Sequence, residues 1–278
     1  MTTTLRPTAP EQRTAAGGRS RSYEVCVNSR PVGRIDLATD DRFGPRVGRI
    51  LRLGIDERDR HRGRGTVAAL AAEEVLRGWG CGRVEVSVDA EAEVALGLAG
   101  ALGYTERNRN MAKPLTTAPR LPEGTEGRPM TENEYTAWDE HARAGYAQSW
   151  IDRGVPPEEA HAKAAADHRG ALPDGPATAH ALLKVLTHHG TAVGTLWVAL
   201  RDHGPDEPGA YVYDVEVAEE HRGHGHGRSL MLLAEAESLA AGATEIGLNV
   251  FAGNTPALCL YESLGYRPTE YHLYKPLL

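Results

Sequence analysis

Apolar and polar residues alternate, or recur at helical spacing, along most of the chain, and the elements they predict run in one order twice. In the first series, residues 23–27 and 32–37 read as strands flanking Asn28, Ser29 and Arg30, a hairpin signal. Residues 47–55 form a third strand. His61-Arg62-Gly63-Arg64-Gly65 then opens an Ala-rich helix ending near Gly78. A strand over 83–88 and a helix over 94–102 follow, closed by Gly103-Tyr104.

The second series is preceded by two helices. Thr131-x-x-Glu134 is a capping box for a helix bearing Tyr135, Trp138, Ala142 and Tyr146. Pro156-Pro157-Glu158-Glu159 opens the next. Residues 181–186 and 193–200 then form a hairpin, and 212–217 a β-branched strand. After His221-Arg222-Gly223-His224-Gly225-His226-Gly227, Leu232, Leu233, Ala236, Leu239 and Ala240 follow at helical spacing, with Gly242 as the stop. Residues 244–250 are a strand with Ile246, Leu248 and Val250 on one face. A short helical segment, 258–264, ends at Gly265-Tyr266.

Short matches tie the two series together. His61-Arg62-Gly63 recurs as His221-Arg222-Gly223, an offset of 221 − 61 = 160. Leu102-Gly103-Tyr104 recurs as Leu264-Gly265-Tyr266, and Lys113-Pro114-Leu115 as Lys275-Pro276-Leu277, both at 264 − 102 = 162. Three matches in order at nearly one offset indicate an internal duplication.

Composition narrows the function classes. The length of 278 residues suits two domains. A net charge of −7 carries no basic nucleic-acid footprint and mildly favours cationic partners such as amines. Cys26, Cys81 and Cys259 are scattered, which fits a reducing cytoplasm, and no apolar run is long enough for a transmembrane helix. The Thr-, Pro- and Arg-rich residues 1–21 read as a disordered tail, and 116–127 as a linker.

The glycine junction carries the chemistry. Glycines let a backbone approach a ligand closely, and the first N–H groups of a helix, with its dipole, attract an anion. The Lys-Ser pair of a mononucleotide loop is absent, and Arg228 stands where a dinucleotide fingerprint needs its third glycine. Read without further context, the junction is also a plain strand-to-helix turn.

Arg222-x-x-Gly225-x-Gly227 after such a strand resembles the pyrophosphate loop of the GCN5-related N-acetyltransferases, the GNAT superfamily. Asn254-x-x-Ala257, a short helix carrying Tyr261, and Leu264-Gly265-Tyr266 resemble the second half of that core. The resemblance implies an α/β fold of two tandem GNAT-like domains, each a mixed sheet flanked by helices. It implies acetyl-CoA as co-substrate, held by Arg222, Gly223, His224, Gly225, His226, Gly227, Arg228 and Ser229, by backbone groups of Val215 and Val217, and by Asn249, Asn254 and Ala257. Tyr261 would protonate the departing thiolate, and Glu216 or its strand neighbour Asp214 would take the amine proton. The same residues also fit bland roles: Asn254 an N-cap, Tyr261 a core tyrosine, the two carboxylates a solvated strand face. Trp138, Tyr146, Trp150 and Asp152 are acceptor-pocket candidates on the same resemblance. His188, His189, His221, His224 and His226 lack Cys or carboxylate partners at ligand spacing, so no metal is expected.

The first copy looks degenerate. Aligned on Leu-Gly-Tyr, Ala92 stands for Asn254 and Ala99 for Tyr261; aligned on His-Arg-Gly, Val67 stands for Gly227. Arg62, Arg64 and Gly65 leave room for weak CoA binding. The expected domains are a degenerate GNAT-like copy over 22–115 and a catalytic one over 128–278, in a monomer or homodimer. The expected activity is acetyl transfer to a primary amine of a small molecule. A protein N-acetyltransferase and a non-catalytic acyl-CoA-binding regulator are the alternatives.

Overall fold

The computed structural model describes residues 3–15, 17–40, 44–152, 155–200 and 209–277. It divides into two compact units. Unit 1 holds Met1–Arg109, Phe251–Gly253 and Thr269–Leu278; unit 2 holds Asn110–Val250 and Asn254–Pro268.

Unit 1 contains β1 (Thr3–Pro7), β2 (Gln12–Arg13), β3 (Arg19–Val27), β4 (Arg30–Asp40), β5 (Gly44–Ile55), α1 (Arg64–Gly78), β6 (Arg83–Asp89) and α2 (Glu93–Ala101). The first half of β7 (Thr105–Pro114) and most of β13 (Arg267–Pro276) also belong to it. Its strands order as β1-β3-β4-β5-β6-β13, with β2 on β3. The β3–β4 hairpin turns on Asn28 and Ser29, at φ 47° and 66°. Positive φ at both central residues makes a turn whose twist matches the paired strands. Val25, Val32, Ile35, Leu37, Ala72, Leu76 and Val84 form the core under α1.

Unit 2 contains the end of β7, then β8 (Thr125–Pro129), α3 (Glu132–Ile151), α4 (Pro157–Ala171), β9 (Ala181–His188), β10 (Thr191–Leu200), β11 (Ala210–Val217), α5 (His226–Ala240), β12 (Glu245–Phe251) and α6 (Thr255–Ser263). Its strands order as β7-β12-β11-β10-β9-β8. The capping box is formed: Thr131 Oγ1 accepts from the Glu134 N–H at 3.4 Å, and Glu134 accepts from the Thr131 N–H at 2.8 Å. Residues 153–154, between α3 and α4 in the sequence, lie outside the described residues. Leu196, Val198, Leu230, Met231, Ile246 and Leu248 centre the core. Among the described residues no helix is long and apolar enough to cross a membrane.

Two expectations are corrected. The described residues of the expected tail are not structureless: β1 pairs five residues with β3, and Leu5 packs on the unit 1 core. Backbone pairing with β3, the Arg6–Glu24 ion pair and the packing of Leu5 hold a segment whose composition reads as disordered. Residues 125–127 of the expected linker belong to β8.

The last strand of each copy, β7 and β13, was not evident in the sequence. Thr105-Glu-Arg-Asn-Arg-Asn has no apolar alternation, because its long polar side chains are held by pairing. Examples are Arg107 on Glu85 at 2.8 Å and Arg109 on Glu106 at 2.7 Å.

Candidate active site

In unit 2 the site begins where two parallel strands stop pairing. β11 and β12 pair only from Ala210↔Ile246 to Val212↔Leu248. One residue later β11 carries a bulge, since adjacent Trp197 and Val198 of β10 face Asp214 and Val212, leaving Tyr213 extra. A bulge bends its strand and ends regular pairing. Beyond it β11 stays with β10, and among the described residues its pairing with β12 goes no further. The Ala218 N–H donates to Val193 O at 3.0 Å, on the β10 side. Strand period two therefore aims the N–H groups of Val215 and Val217 to the opposite side, into the gap left beside β12.

The glycine junction closes one end of that gap. Gly223 and Gly225 have φ of 78° and 86°, left-handed values that favour glycine, and Gly225 is the N-cap of α5. A Cβ on Gly227 would lie 3.4 Å from Leu260 Cδ2 and 3.9 Å from Val217 Cγ2, in van der Waals contact with α6 and β11. Arg222 braces the turn by donating from Nε to Val217 O at 3.2 Å. Arg228 donates to Ser263 Oγ at 2.6 Å. Ser229 is buried, inside α5 rather than at the turn surface. His224 and His226 sit in a histidine group, with ring centroids 6.2 Å apart and His188 5.1 Å from His226. Burial, then His188, His224 and His221, push the His226 imidazole below its ordinary value.

The opposite face of β11 carries the carboxylates. Trp138 and His141, one helical turn apart on α3, meet Asp214 and Glu216, two apart on β11. Trp138 Nε1 donates to Asp214 Oδ2 at 2.8 Å, and His141 Nε2 lies 3.2 Å from Glu216 Oε2. Asp214 is raised above the usual carboxylate range, mainly by burial, against the Trp138 hydrogen bond; Glu216 adds to the rise. Of the other acceptor-pocket candidates, Trp150 is buried core, Tyr146 donates to Asp167 at 3.0 Å, and Asp152 accepts from Gln148 at 2.8 Å. Sequence reasoning missed Tyr213 and Trp197, whose rings stack at 4.6 Å beside the bulge. A bulge leaves no residue-type signature here.

Tyr261 and Asn254 stand on α6. Asn254 is its N-cap, with Oδ1 accepting from the Ala257 N–H at 3.3 Å. Tyr261 is 6% exposed in the core, 5.9 Å ring to ring from Tyr266. Burial first, then the Asp214 charge, push its phenol up to about 12. Both residues thus fill the structural roles open to them, and those roles fix their positions. Asn249 is exposed on β12, and its Nδ2 donates to Asn110 at 2.7 Å.

A model described as the acetyltransferase (GNAT) family matches residues 3–104 and again 135–266. The chain belongs to the GNAT family. It is an N-acetyltransferase with two GNAT copies. It is 33% identical to a mycothiol acetyltransferase of Thermobispora bispora, over 74% of this chain and 68% of that protein. It is 27% identical to YycN of Bacillus subtilis, described as an uncharacterized N-acetyltransferase, over 54% of this chain and 96% of that protein. A GCN5-related N-acetyltransferase from Sphaerobacter thermophilus shares the fold with a TM-score of 0.58, at 20% identity over 92% of this chain and 80% of that one. A tandem GNAT protein from the clavulanic acid biosynthesis pathway does so at 0.51 and 20%, over 95% of this chain and 84% of that one.

The GNAT frame corrects the alignment of the two copies. Gly63 is the left-handed N-cap of α1 as Gly225 is of α5, and 225 − 63 = 162. A Cβ on Gly65 would meet Leu98 at 3.5 Å, as one on Gly227 meets Leu260 at 3.4 Å. Arg60 Nε donates to Ile55 O at 2.8 Å, as Arg222 does to Val217 O. One offset of 162 therefore holds throughout, Gly65 rather than Val67 is the counterpart of Gly227, and the first copy keeps its loop intact. Ala92 and Ala99 remain the counterparts of Asn254 and Tyr261, and Arg52 and Gly54 replace Asp214 and Glu216.

Proposed function

We propose that unit 2 transfers the acetyl group of acetyl-CoA to a primary amine of a small molecule. The observation that carries this reading is the strand gap itself. It ends at an Arg-braced glycine turn and is edged by the Val215 and Val217 N–H groups, and the charge of Asp214, on the same strand, is felt by Tyr261. The pyrophosphate would lie on Gly223 to Gly227 and the α5 N-terminus, where unpaired N–H groups and the helix dipole favour an anion. Acetyl-CoA supplies the thioester that is cleaved.

The chain's own groups then have distinct tasks. An alkylammonium has a pKa near 10.4 and must lose a proton before it can attack. Asp214, raised by burial, is a stronger base than an exposed carboxylate. Glu216, paired with His141, is the alternative relay to solvent. As the amine nitrogen bonds to the carbonyl carbon, the Val215 and Val217 N–H groups stabilise the oxygen. The C–S bond then breaks and the sulfur leaves with the electron pair. With a pKa of about 12, Tyr261 holds its proton at neutral pH. Giving that proton outright to a thiolate of ordinary pKa about 8.5 is uphill by about 5 kcal/mol. Its task is therefore to donate a hydrogen bond to the developing thiolate, and the amine proton completes the thiol through solvent.

Similarity to proteins named mycothiol acetyltransferase, over 74% and 80% of this chain, supports a low-molecular-weight acceptor over a protein. The test is a panel of small amines and peptides with acetyl-CoA, reading free thiol and product mass. Acetylation of peptides alone would overturn the acceptor class, and thiol release with none of them would overturn the reading.

A further inference from the structure

The residue that the β11 bulge inserts is a tyrosine, and the bulge decides which face it serves. Val212 pairs with Val198 and packs in the core with Leu230 and Met231 of α5. Asp214 pairs with Trp197 and accepts from Trp138 of α3. Paired residues share a face and successive residues alternate, so in a regular strand Val212 and Asp214 would lie on one side. Here they lie on opposite sides, and the strand changes phase at Tyr213. The Tyr213 ring stacks on Trp197, with centroids 4.6 Å apart and planes 21° from parallel. Tyr211 pairs with Ala199, two residues along β10 from Trp197, and so shares that face; its ring meets Tyr213 at 5.2 Å. A bulge re-aims a side chain in this way, and it sets an aromatic ring directly beside Asp214, which strand alternation forbids.

The face of β11 toward α3 therefore reads Tyr211, Tyr213, Asp214, Glu216: two rings, then two carboxylates. Trp197 is buried beneath, with Trp138 edge-on to it at 5.6 Å, whereas Tyr213 is 48% exposed. A tyrosine held flat on a buried tryptophan is a rigid platform on which a further ring gains area and favourable quadrupole contact. The carboxylates beside it offer a place to a cation. Groups that the hydroxyls of a sugar would need are already engaged: Trp138 Nε1 on Asp214 at 2.8 Å, and Glu216 with His141 at 3.2 Å.

We propose that the acceptor of unit 2 is an arylalkylamine, a primary amine joined to an aromatic ring through a short alkyl linker, and that Tyr213 selects it. This rests on reading unit 2 as an acetyl-CoA-dependent transferase. The ring lies on the exposed side of Tyr213 and the ammonium beside Asp214 and Glu216. The ammonium gives its proton to a carboxylate, the nitrogen bonds to the thioester carbon, and the C–S bond breaks to release CoA. The N-acetyl product carries no charge, so the carboxylates that drew the amine in no longer hold it.

The test is steady-state kinetics of the full chain with acetyl-CoA and phenethylamine, cyclohexylethylamine, hexylamine or glucosamine. Phenethylamine and cyclohexylethylamine match in size, so their ratio isolates the aromatic face. Phenethylamine should lead by roughly three- to tenfold in kcat/KM, with the difference in KM, because the ring is remote from the reacting nitrogen. Tyr213→Phe should keep that ratio, and Tyr213→Leu should lower it by about the same factor. Amine basicity acts alike in all three proteins, and a merely structural Tyr213 would slow both amines together and leave the ratio standing. Equal KM values in the wild type, a ratio untouched by Tyr213→Leu, or glucosamine as the best acceptor overturns the proposal and leaves acetyl transfer by unit 2 intact. If Tyr213→Leu fails to fold, the wild-type comparison decides alone. Acetylation of none of the amines overturns both readings.

Discussion

Tyr261 concentrates the question of whether a core side chain also does chemistry. Its ring is packed against Tyr266 and its pKa is pushed up to about 12 by burial and by Asp214. Tyr261→Phe keeps the packing and removes only the hydroxyl. Turnover should fall roughly 10²–10³-fold, as for loss of one aligned donor to developing charge, with little change in acetyl-CoA affinity. Wild-type turnover with a slightly lowered melting temperature would return the residue to the core. Asp214→Asn probes the same pair from the other side. Removing that charge should lower the Tyr261 pKa, read by ultraviolet titration of the phenolate, and should shift the acid limb of kcat/KM if Asp214 is the base. An unmoved acid limb would pass base duty to Glu216. The sequence placed both carboxylates on one face of a strand, by period two. It did not separate them, because the difference is burial under Trp138, which comes from α3, 76 residues away in the chain.

At the scale of elements, the glycine turns were legible and their alignment was not. His61-Arg62-Gly63 and His221-Arg222-Gly223 match as letters at offset 160, yet the backbone puts Gly63 opposite Gly225. A left-handed N-cap, not residue identity, defines the position, and φ is invisible in a sequence. The histidines around the unit 2 turn have a consequence for pH. The folded pKa of His226 is depressed below 6.5, so the unfolded chain binds the proton more readily just below that value. Stability therefore falls as pH drops through 6.5, and rises as pH climbs back. A bound pyrophosphate favours the imidazolium, so acetyl-CoA binding should take up a proton and tighten from pH 8 to 6. His226→Asn should flatten that trend relative to wild type. The 3′-phosphate of the ligand, with a second pKa near about 6, titrates identically in both proteins. Parallel profiles would remove His226 from the anion site. His188, His221 and His224 are the other titratable groups facing His226.

At the scale of the whole chain, duplication was legible from three short matches, and the sharing of strands was not. Unit 1 is completed by Thr269–Leu278, where β13 pairs β6 from Glu270↔Asp89 to Pro276↔Arg83. Unit 2 takes the end of β7, from the first copy. Each borrowed strand is fastened by an ion pair from a half-buried lysine to a buried carboxylate: Lys275 to Glu73 and Lys113 to Glu235, both at 2.7 Å. The equivalence is complete, since 275 − 113 and 235 − 73 both equal 162. The repeated Lys-Pro-Leu is thus the signature of a strand that serves the other copy's sheet. Lys275→Ala takes the cation from the buried Glu73 carboxylate and should cost about 3 kcal/mol, seen as a lowered denaturation midpoint. Lys275→Met with Glu73→Gln should recover part of it.

Fragments extend the argument. Residues 1–115 alone lack β13, and the end of their own β7, from Asn110 on, belongs in the whole chain to the other unit. The exposed β6 edge and the undelivered β7 are complementary, because Lys113 offers Glu73 what Lys275 does. Exchange of such an element between two copies is a low-cost route to a dimer. The fragment should therefore run as a dimer in light scattering, and Lys113→Ala should dissociate it. A stable monomer with β7 protected from hydrogen exchange would show instead that the turn can close on its own sheet, and that the exchange in the whole chain is a choice between two nearly equal pairings.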